Sequence, residues 1–404
     1  MKKKLYVILS LLLAIALFAG ACAPAQAEEP VAEEAMEEEV AEEEVAEEVV
    51  EEPKTVQIGD QVIEALPEKV KLVFSLPGAS VHGLPLFVAK EKGWLEELNI
   101  ELEQLSFDNG PIQMEALGAD SWDFGTTGQG GIFTGVLQWD TPILADLVSD
   151  DDAMRIITRA DHPIALAGKG QIDGYPELYG TAEEWKGVEI MTPQGTIPHF
   201  VTTQVLDKFG LTEADVEMAN MSQSNAFTAL TAGQGEVASL MGSFAYRLQG
   251  DDDYVVVASS NAVGGGFAIA MMIVNPNVLE DETKMEAILT CLDVHFAVVD
   301  WFDTISIEEI TDYQVQMAEG FGLSTDYDEL FRYMNGTNIY DFDYSYKLQT
   351  EVSDDGEMTL VQRSIVDPMK FFAALDKFED EDIQKMEGDW FPTEYMEEIA
   401  ARRE

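Results

Sequence analysis

Residues 185–222, WKGVEIMTPQGTIPHFVTTQVLDKFGLTEADVEMANMS, contain one complete strand–helix–strand unit. The short apolar run VEIMT (188–192) predicts a buried strand, and TIPHFVTTQVLDKFG (196–210) predicts a helix that ends at a glycine. VEMANMS (216–222) predicts the next strand. Strands that alternate with helices of this length are typical of parallel sheets, so the unit indicates an α/β fold.

The same alternation is found earlier in the chain, from KLVFSL (71–76) onward. A short internal repeat connects the two regions: ALGADSWD (116–123) and ALTAGQGE (229–236) share the pattern A-L-x-A-x-x-x-acid. Each copy falls where a predicted helix ends before a short strand. The repeat therefore predicts two related α/β lobes.

The last third of the chain has a different pattern. After the apolar strand FAIAMMIVN (267–275) the sequence predicts mainly helices. One predicted exception is DFDYSYKLQTEVSDDGEMTLVQRS (341–364), read as a hairpin that turns at Asp354-Asp355-Gly356. We therefore expect a helical C-terminal extension.

The N-terminus has the features of a targeting segment. Three lysines at 2–4 precede the apolar run LYVILSLLLAIALFAG, and Cys22 follows three small residues as in a bacterial lipobox. Ala19 stands where a lipobox usually has leucine. We expect a signal peptide over residues 1–22 with lipidation at Cys22. The alternative is cleavage after Ala27 at the A-x-A sequence, which would release a soluble protein.

The charge of the chain excludes a general role in nucleic-acid binding. The formal net charge is −54, whereas phosphate backbones require clustered Lys and Arg. Residues 28–53 hold fourteen of the glutamates and no basic residue, which predicts a disordered acidic stalk. Without that segment and the leader lysines, 63 acids still face 20 bases.

The residues offer little that is typical of an enzyme. The four histidines, at 82, 162, 199 and 295, form no HExxH motif, and neither a G-x-S-x-G elbow nor a phosphate-binding loop with lysine occurs. Cys291, the one cysteine besides Cys22, lies in an apolar helical pattern and is predicted to be a buried thiol. We therefore predict no catalytic activity, no metal and no cofactor.

Three predicted strand-to-helix loops have a composition that suits ligand binding. They are SLPGAS (75–80), GTTGQG (125–130) and PQGT (193–196). Each combines small residues with a hydroxyl at a helix start, where free N–H groups attract anions. Ordinary N-capping explains any single loop equally well. Three such loops together predict a cleft between two lobes.

Four stretches, taken in order, resemble one family of binding proteins. They are PLFVAKEKGWLEELNIELEQLSF (85–107), MEALGADSWDFGTTG (114–128), residues 185–221, and ALTAGQGEVASLMGSFAYRL (229–248). The family comprises the ABC-importer solute-binding proteins for aliphatic sulfonates, taurine, nitrate and thiamine-pyrimidine precursors. The resemblance covers residues 68–280.

The resemblance implies a type II periplasmic-binding-protein fold with two lobes and a hinge of two strands. We expect the first lobe at 68–161 and 266–404, including the C-terminal helices, and the second at 162–265. Residues 23–67 would be the stalk. The hinge strands are expected near 158–166 and 258–270.

The resemblance also implies a function and a set of site residues. The protein would be an extracytoplasmic, membrane-anchored monomer that delivers a small organic anion or polar metabolite to an ABC permease. The implied ligand contacts are Ser75, Pro77, Gly78, Ser80, Thr126, Thr127, Gly128, Gly195, Thr196, His199, Ser243 and Phe244.

Two departures leave the ligand open. Asp120 stands where glycine is common in the family, and Met241-Gly242-Ser243-Phe244 replaces its W-x-P-[YF] segment. Sulfonate, carboxylate and pyrimidine ligands all remain candidates.

Other residues and other functions also remain open. His82 is a further possible contact, and Arg159 and Arg247 could bind an anion or form surface salt bridges. The alternative functions are an enzyme on the same fold and a stalked surface adhesin or scaffold.

Overall fold

The computed structural model describes residues 54–107, 109–149, 153–248, 250–263, 269–323, 325–353 and 356–403. The predicted leader, Cys22, Ala27 and the acidic segment as far as Pro53 lie outside these ranges. Within the described residues, no helix combines the length and the apolar character needed to span a bilayer.

The chain alternates between strands and helices up to residue 274 and is mainly helical afterwards. The strands in the described ranges are β1 Thr55–Ile58, β2 Gln61–Glu64, β3 Val70–Pro77, β4 Ile100–Phe107, β5 Phe124–Gly128, β6 Ile143–Ser149, β7 Met154–Arg159, β8 Glu189–Thr192, β9 Glu217–Asn220, β10 Val237–Met241, β11 Tyr254–Ser259, β12 Ile269–Val274 and β13 Asn338–Ile339. The α-helices in these ranges are α1 Leu84–Glu91, α2 Trp94–Glu97, α3 Gly110–Leu117, α4 Gln129–Trp139, α5 Pro163–Ala167, α6 Ala182–Trp185, α7 Ile197–Lys208, α8 Gln223–Thr231, α9 Ser243–Tyr246, α10 Glu282–Phe302, α11 Ile307–Gly320, α12 Tyr327–Gly336, α13 Phe342–Thr350, α14 Leu360–Ala373, α15 Asp380–Met386 and α16 Thr393–Arg403.

The first sheet has six strands in the order β13-β6-β12-β5-β3-β4. β3 runs parallel to both β4 and β5, as the strand–helix–strand pattern predicts, whereas β12 returns antiparallel between β5 and β6. β6 and β12 are buried along their whole length because α-helices cover both faces of this sheet.

The second sheet has five strands in the order β11-β7-β10-β8-β9. β8, β9 and β10 are parallel, and the helix α7 that joins β8 to β9 packs its buried side on the sheet. This is the unit predicted from residues 185–222. β7 lies antiparallel between β10 and β11.

The chain first crosses from one sheet to the other earlier than the predicted hinge strand. β7 (Met154–Arg159) belongs to the second sheet, so the chain passes between the sheets after Ser149 and not at 158–166. β6 and β7 are both continuous buried runs, and such runs contain no signal for the sheet they join. The return crossing, between Ser259 and Ile269, falls within the predicted 258–270.

The predicted stalk is also too long, because residues 54–64 are folded. β1 and β2 form an antiparallel hairpin that turns at Gly59, whose φ is +56°. Val56, Ile58 and Ile63 are buried in the core of the first sheet. The apolar alternation in TVQIGDQVIE is short. It directly follows the acidic segment, and the prediction therefore assigned it to the stalk.

The hairpin predicted at 341–364 is wrong, because this region forms α13 and the start of α14. Asp341 accepts a hydrogen bond from the Tyr344 N–H and so begins α13. Thr359 and Gln362 form a capping box that begins α14. The stabilisation by these caps exceeds the turn preference of Asp354-Asp355-Gly356. Within the described residues, the predicted strand pairing is limited to one isolated antiparallel bridge between Val352 and Thr359.

The C-terminal helices contact helices that pack on both sheets. On the first, Arg403 of α16 donates to Asp293 and Asp300 of α10, at 2.9 and 3.1 Å. On the second, the Phe371 ring of α14 lies 4.9 Å from the Phe200 ring of α7. Arg332 of α12 also donates to the Tyr246 carbonyl at 3.1 Å. We call the Phe371 and Arg332 contacts the bridging contacts.

Candidate ligand-binding cleft

A cavity of about 760 Å³ lies where the strand ends of the two sheets meet. The first sheet contributes Val148 and Ile269, and the second sheet contributes Met154 and Met241. Helices α11 and α12 of the C-terminal region complete the wall. The cavity therefore lies between the sheets, where the sequence predicts a cleft.

Helix starts open onto this cleft. Gly128, Gln129, Gly130 and Gly131 at the start of α4 line it, and the N-cap Gly128 has no side chain to satisfy the first N–H groups. The start of α3 also lines it, but there Asn109 accepts from the Ile112 N–H at 3.0 Å. The α4 start therefore offers unsatisfied backbone donors and the positive end of a helix dipole.

Three of the four predicted contacts in the first loop lie at the cleft. Pro77, Gly78 and Ser80 line the cavity. The Ser75 side chain is fully buried behind it and accepts a hydrogen bond from Gln113 Nε2 at 2.7 Å.

The second predicted loop divides into a strand and a helix start. Thr126 and Thr127 lie within β5, which is covered on both sides by β12 and β3, and both side chains are fully buried. Neither threonine lines the cleft, whereas Gly128 does. Thr127 instead packs against the first turn of α4: a Cβ placed on Gly131 would lie 1.9 Å from Thr127 Oγ1.

The third predicted loop contributes a neighbour of the predicted residues. Ile197 lines the cavity, and Gly195, Thr196 and His199 do not. Thr196 Oγ1 donates to the Pro193 carbonyl at 2.5 Å. His199 Nδ1 accepts from the Gly195 N–H at 3.0 Å, and its Nε2 pairs with Glu213. These side chains stabilise the loop itself.

The segment that replaces the family's W-x-P-[YF] pattern reaches the cleft at its first half. Met241 and Gly242 line the cavity, and Ser243 begins α9. The Phe244 ring lies 5.8 Å from the Phe227 ring within the second sheet's own core. Phe244 is therefore not among the residues that line the cavity.

His82 lines the cleft and is almost fully buried. Burial disfavours the charged imidazolium and lowers its pKa to about 3, so the ring is neutral at pH 7. Arg159 pairs with Asp161 at 3.3 Å and does not line the cleft. Arg247 lies 3.9 Å from Glu329.

Sequence reasoning missed the wall formed by the C-terminal region. Gln314 and Ala318 of α11 and Glu329, Leu330 and Tyr333 of α12 line the cleft. The stretch YDELFRYM, with apolar residues at helical spacing opposite its acids, was a signal for a helix lying on other structure. The pattern of apolar residues did not show which part of the fold this helix packs against.

Curated proteins match part of the sequence of this chain. No family model matches the chain. A Brachyspira hyodysenteriae protein named as an ABC transporter periplasmic binding protein is 27% identical over 161 residues, which are 40% of this chain and 46% of that protein. A Brucella abortus protein named as a binding protein is 27% identical over 43% of this chain and 48% of its own length. The chain thus spans about half the length of these relatives.

Solved structures resemble most of the chain. The periplasmic aliphatic sulphonate binding protein SsuA from Escherichia coli matches 80% of this chain and 92% of its own, with a TM-score of 0.57 at 15% identity. A sulfonate-binding SsuA from Methylobacillus flagellatus matches 83% and 95%, with a TM-score of 0.58 at 13% identity. The chain therefore has the periplasmic-binding-protein fold with a helical C-terminal part, and its resemblance to the ABC-importer solute-binding proteins is confirmed.

Proposed function

We propose that this protein is the extracytoplasmic solute-binding component of an ABC importer. It captures a small polar metabolite in the cleft and delivers it to the permease. The observation that carries the proposal is the 760 Å³ cavity whose walls come from both sheets. That volume is within the range of about 300–1,000 Å³ that holds small-molecule ligands in proteins. A wall shared by two sheets allows closure around the ligand.

The proposal includes the place of the protein in the cell. Lipidation at Cys22 anchors the chain to the membrane, and the acidic segment 28–53 spaces the folded part from the surface. The protein acts as a monomer next to its permease. Metabolic labelling with radioactive palmitate should label the protein and not a Cys22→Ala variant. Absence of label from the unmodified protein would exclude the lipid anchor and leave the binding function in place.

Binding without turnover is the second part of the proposal. General acid–base catalysis is most efficient with a group whose pKa lies near the working pH. Burial holds the pKa of His82 at about 3, which makes this cleft histidine a weak base at neutral pH. Analysis of a bound solute by mass spectrometry after long incubation would show any conversion and so would support an enzyme instead.

The test is a thermal-shift and calorimetric screen of the purified protein against sulfonates, carboxylates, nitrate, amino acids and pyrimidines. A ligand at 100 times its Kd should stabilise the protein by about 2.7 kcal/mol. Met241→Trp places bulk in the cleft and should abolish binding, whereas Leu166→Trp, at a side chain that is 72% exposed and outside the cleft, should not. Binding that survives Met241→Trp, or a screen with no binder, would contradict the proposal.

A further inference from the structure

One formal charge, a negative one, lies in the described wall of the cleft. Glu329 is the formally charged side chain among the described residues that line it, and no lysine or arginine is among them. The undescribed positions between residues 54 and 403 are occupied by Asp, Gln, Gly, Phe, Ala and Ser, so they add no cation either. The strongly acidic remainder of the chain repels anions at long range.

The cationic group beside Glu329 lies outside the cleft. Arg247 Nε is 3.9 Å from Glu329 Oε2, beyond hydrogen-bond distance, and its side chain is 49% exposed. The Arg247 guanidinium lies over the Phe227 ring, 4.7 Å from its centroid. Within the described residues no hydrogen bond joins the two groups, so the Glu329 carboxylate oxygens remain available to a ligand N–H group.

Buried hydrogen-bond acceptors also lie in the cleft wall. Gln129 Nε2 donates to the Ser364 carbonyl at 3.1 Å, and Gln314 Nε2 donates to the Ala79 carbonyl at 2.5 Å. These partners fix the orientation of both amides because a carbonyl accepts only from the N–H₂ side. The two Oε1 atoms are left without a partner in the described protein, although both side chains are more than nine-tenths buried.

Buried acceptors without a partner favour a ligand that donates hydrogen bonds. An acceptor that makes no hydrogen bond has lost its contact with water without compensation, and a donor on the ligand would recover that loss. A sulfonate or a carboxylate has no donor. The helix start of α4 carries only about half a positive charge, which is less than the full negative charge of Glu329. Its N–H groups can still donate to a neutral ligand carbonyl.

We propose that the cleft selects nitrogenous solutes without net negative charge, such as amines and amides, over sulfonates and carboxylates. This inference rests on the proposed function. Glu329 is the counter-ion of a ligand ammonium group, and Gln129 and Gln314 accept from ligand N–H groups. Val148, Ile269 and other apolar residues of the wall cover the hydrocarbon part.

The experiment compares probes of equal length: hexylamine, hexanamide, hexanoate and hexanesulfonate, each titrated calorimetrically into the purified protein. We expect hexylamine, through one charge-assisted hydrogen bond to Glu329, and hexanamide, through N–H groups that donate to Gln129 and Gln314, to bind at least about tenfold more tightly than the two anions. Glu329→Gln should weaken hexylamine about tenfold and leave hexanamide within about twofold. The matched control Asp328→Asn removes an exposed acid from the same helix outside the cleft and should change neither.

A second variant reverses the charge. Glu329→Lys should make hexanoate the tighter ligand, and thermal unfolding of each variant shows that the fold is kept. If hexanesulfonate or hexanoate binds tightest to the unmodified protein, or if Glu329→Gln leaves the amine unaffected, this inference is wrong and the proposed function stands. If none of the four probes and no compound in the broader screen binds, the proposed function fails and this inference fails with it.

Discussion

Two adjacent glycines at the start of α4 should respond in opposite ways to alanine. A Cβ on Gly131 would lie 1.9 Å from Thr127 Oγ1 and 3.0 Å from Thr127 Cβ and Cγ2, in a strand enclosed on both sides. Overpacking of this kind costs about 1–3 kcal/mol. A Cβ on Gly130 would meet Pro111 at 3.8 Å, an ordinary contact. Gly130→Ala should therefore gain up to about 1 kcal/mol from helix propensity alone.

The helix-propensity gain is common to both alanine variants, so their free energies of unfolding should differ by the overpacking cost, about 1–3 kcal/mol. Urea denaturation followed by circular dichroism measures this difference. Thr127→Ala removes the obstructing Oγ1 and Cγ2, so combining it with Gly131→Ala should recover part of the loss, with a coupling energy of about 1 kcal/mol or more. Equal stability of Gly130→Ala and Gly131→Ala, or additive effects in the double variant, would refute the close packing of β5 on α4.

Three further predictions concern stability and reactivity. Asn275→Ala removes hydrogen bonds to Asp120 Oδ1 and the Trp122 carbonyl, at 2.8 and 2.9 Å, and should cost about 2–3 kcal/mol in urea denaturation, whereas unchanged stability would contradict a structural role. Burial lowers the pKa of His295 to about 3, below its usual 6.5, so the unfolded state alone takes up this proton as the pH falls from 6.5 toward 3. Stability should fall over that range by about 1.4 kcal/mol per pH unit from this residue, and His295→Gln should reduce the measured slope by that amount. Burial also raises the pKa of the Cys291 thiol, so iodoacetamide should modify it in urea and not in the native protein, as mass spectrometry would show.

The fold class could be predicted because it depends on local patterns. The alternation in residues 185–222 corresponds to β8, α7 and β9, with glycine following the helix. The sheet that each strand joins is not a local property: β6 and β7 are equally buried, yet they belong to different sheets. The hairpin at 55–64 was missed because four-residue strands give little periodicity.

The candidate site was predictable mainly at the residues that end or directly follow a strand. Pro77, Gly78 and Gly128 line the cleft, and glycine and proline at a strand end are a local signal that the chain leaves the strand there. The hydroxyls of Thr126 and Thr127 looked equally suitable, but their burial depends on strands that pair with β5 from distant parts of the chain. Glu329 could not be assigned to the cleft, because the packing of α12 across the sheets is a tertiary property.

The bridging contacts have a mechanical consequence. Two sheets joined only by two chain crossings can rotate about the axis through those crossings. Here Phe371 and Arg332 attach the C-terminal helices to the second sheet as well, which adds a third point of attachment. Any widening of the cleft must therefore break an aromatic contact and a hydrogen bond, or carry α12 and α14 along with the second sheet. Solute uptake in this protein would then depend on the strength of its C-terminal packing as much as on the cleft itself.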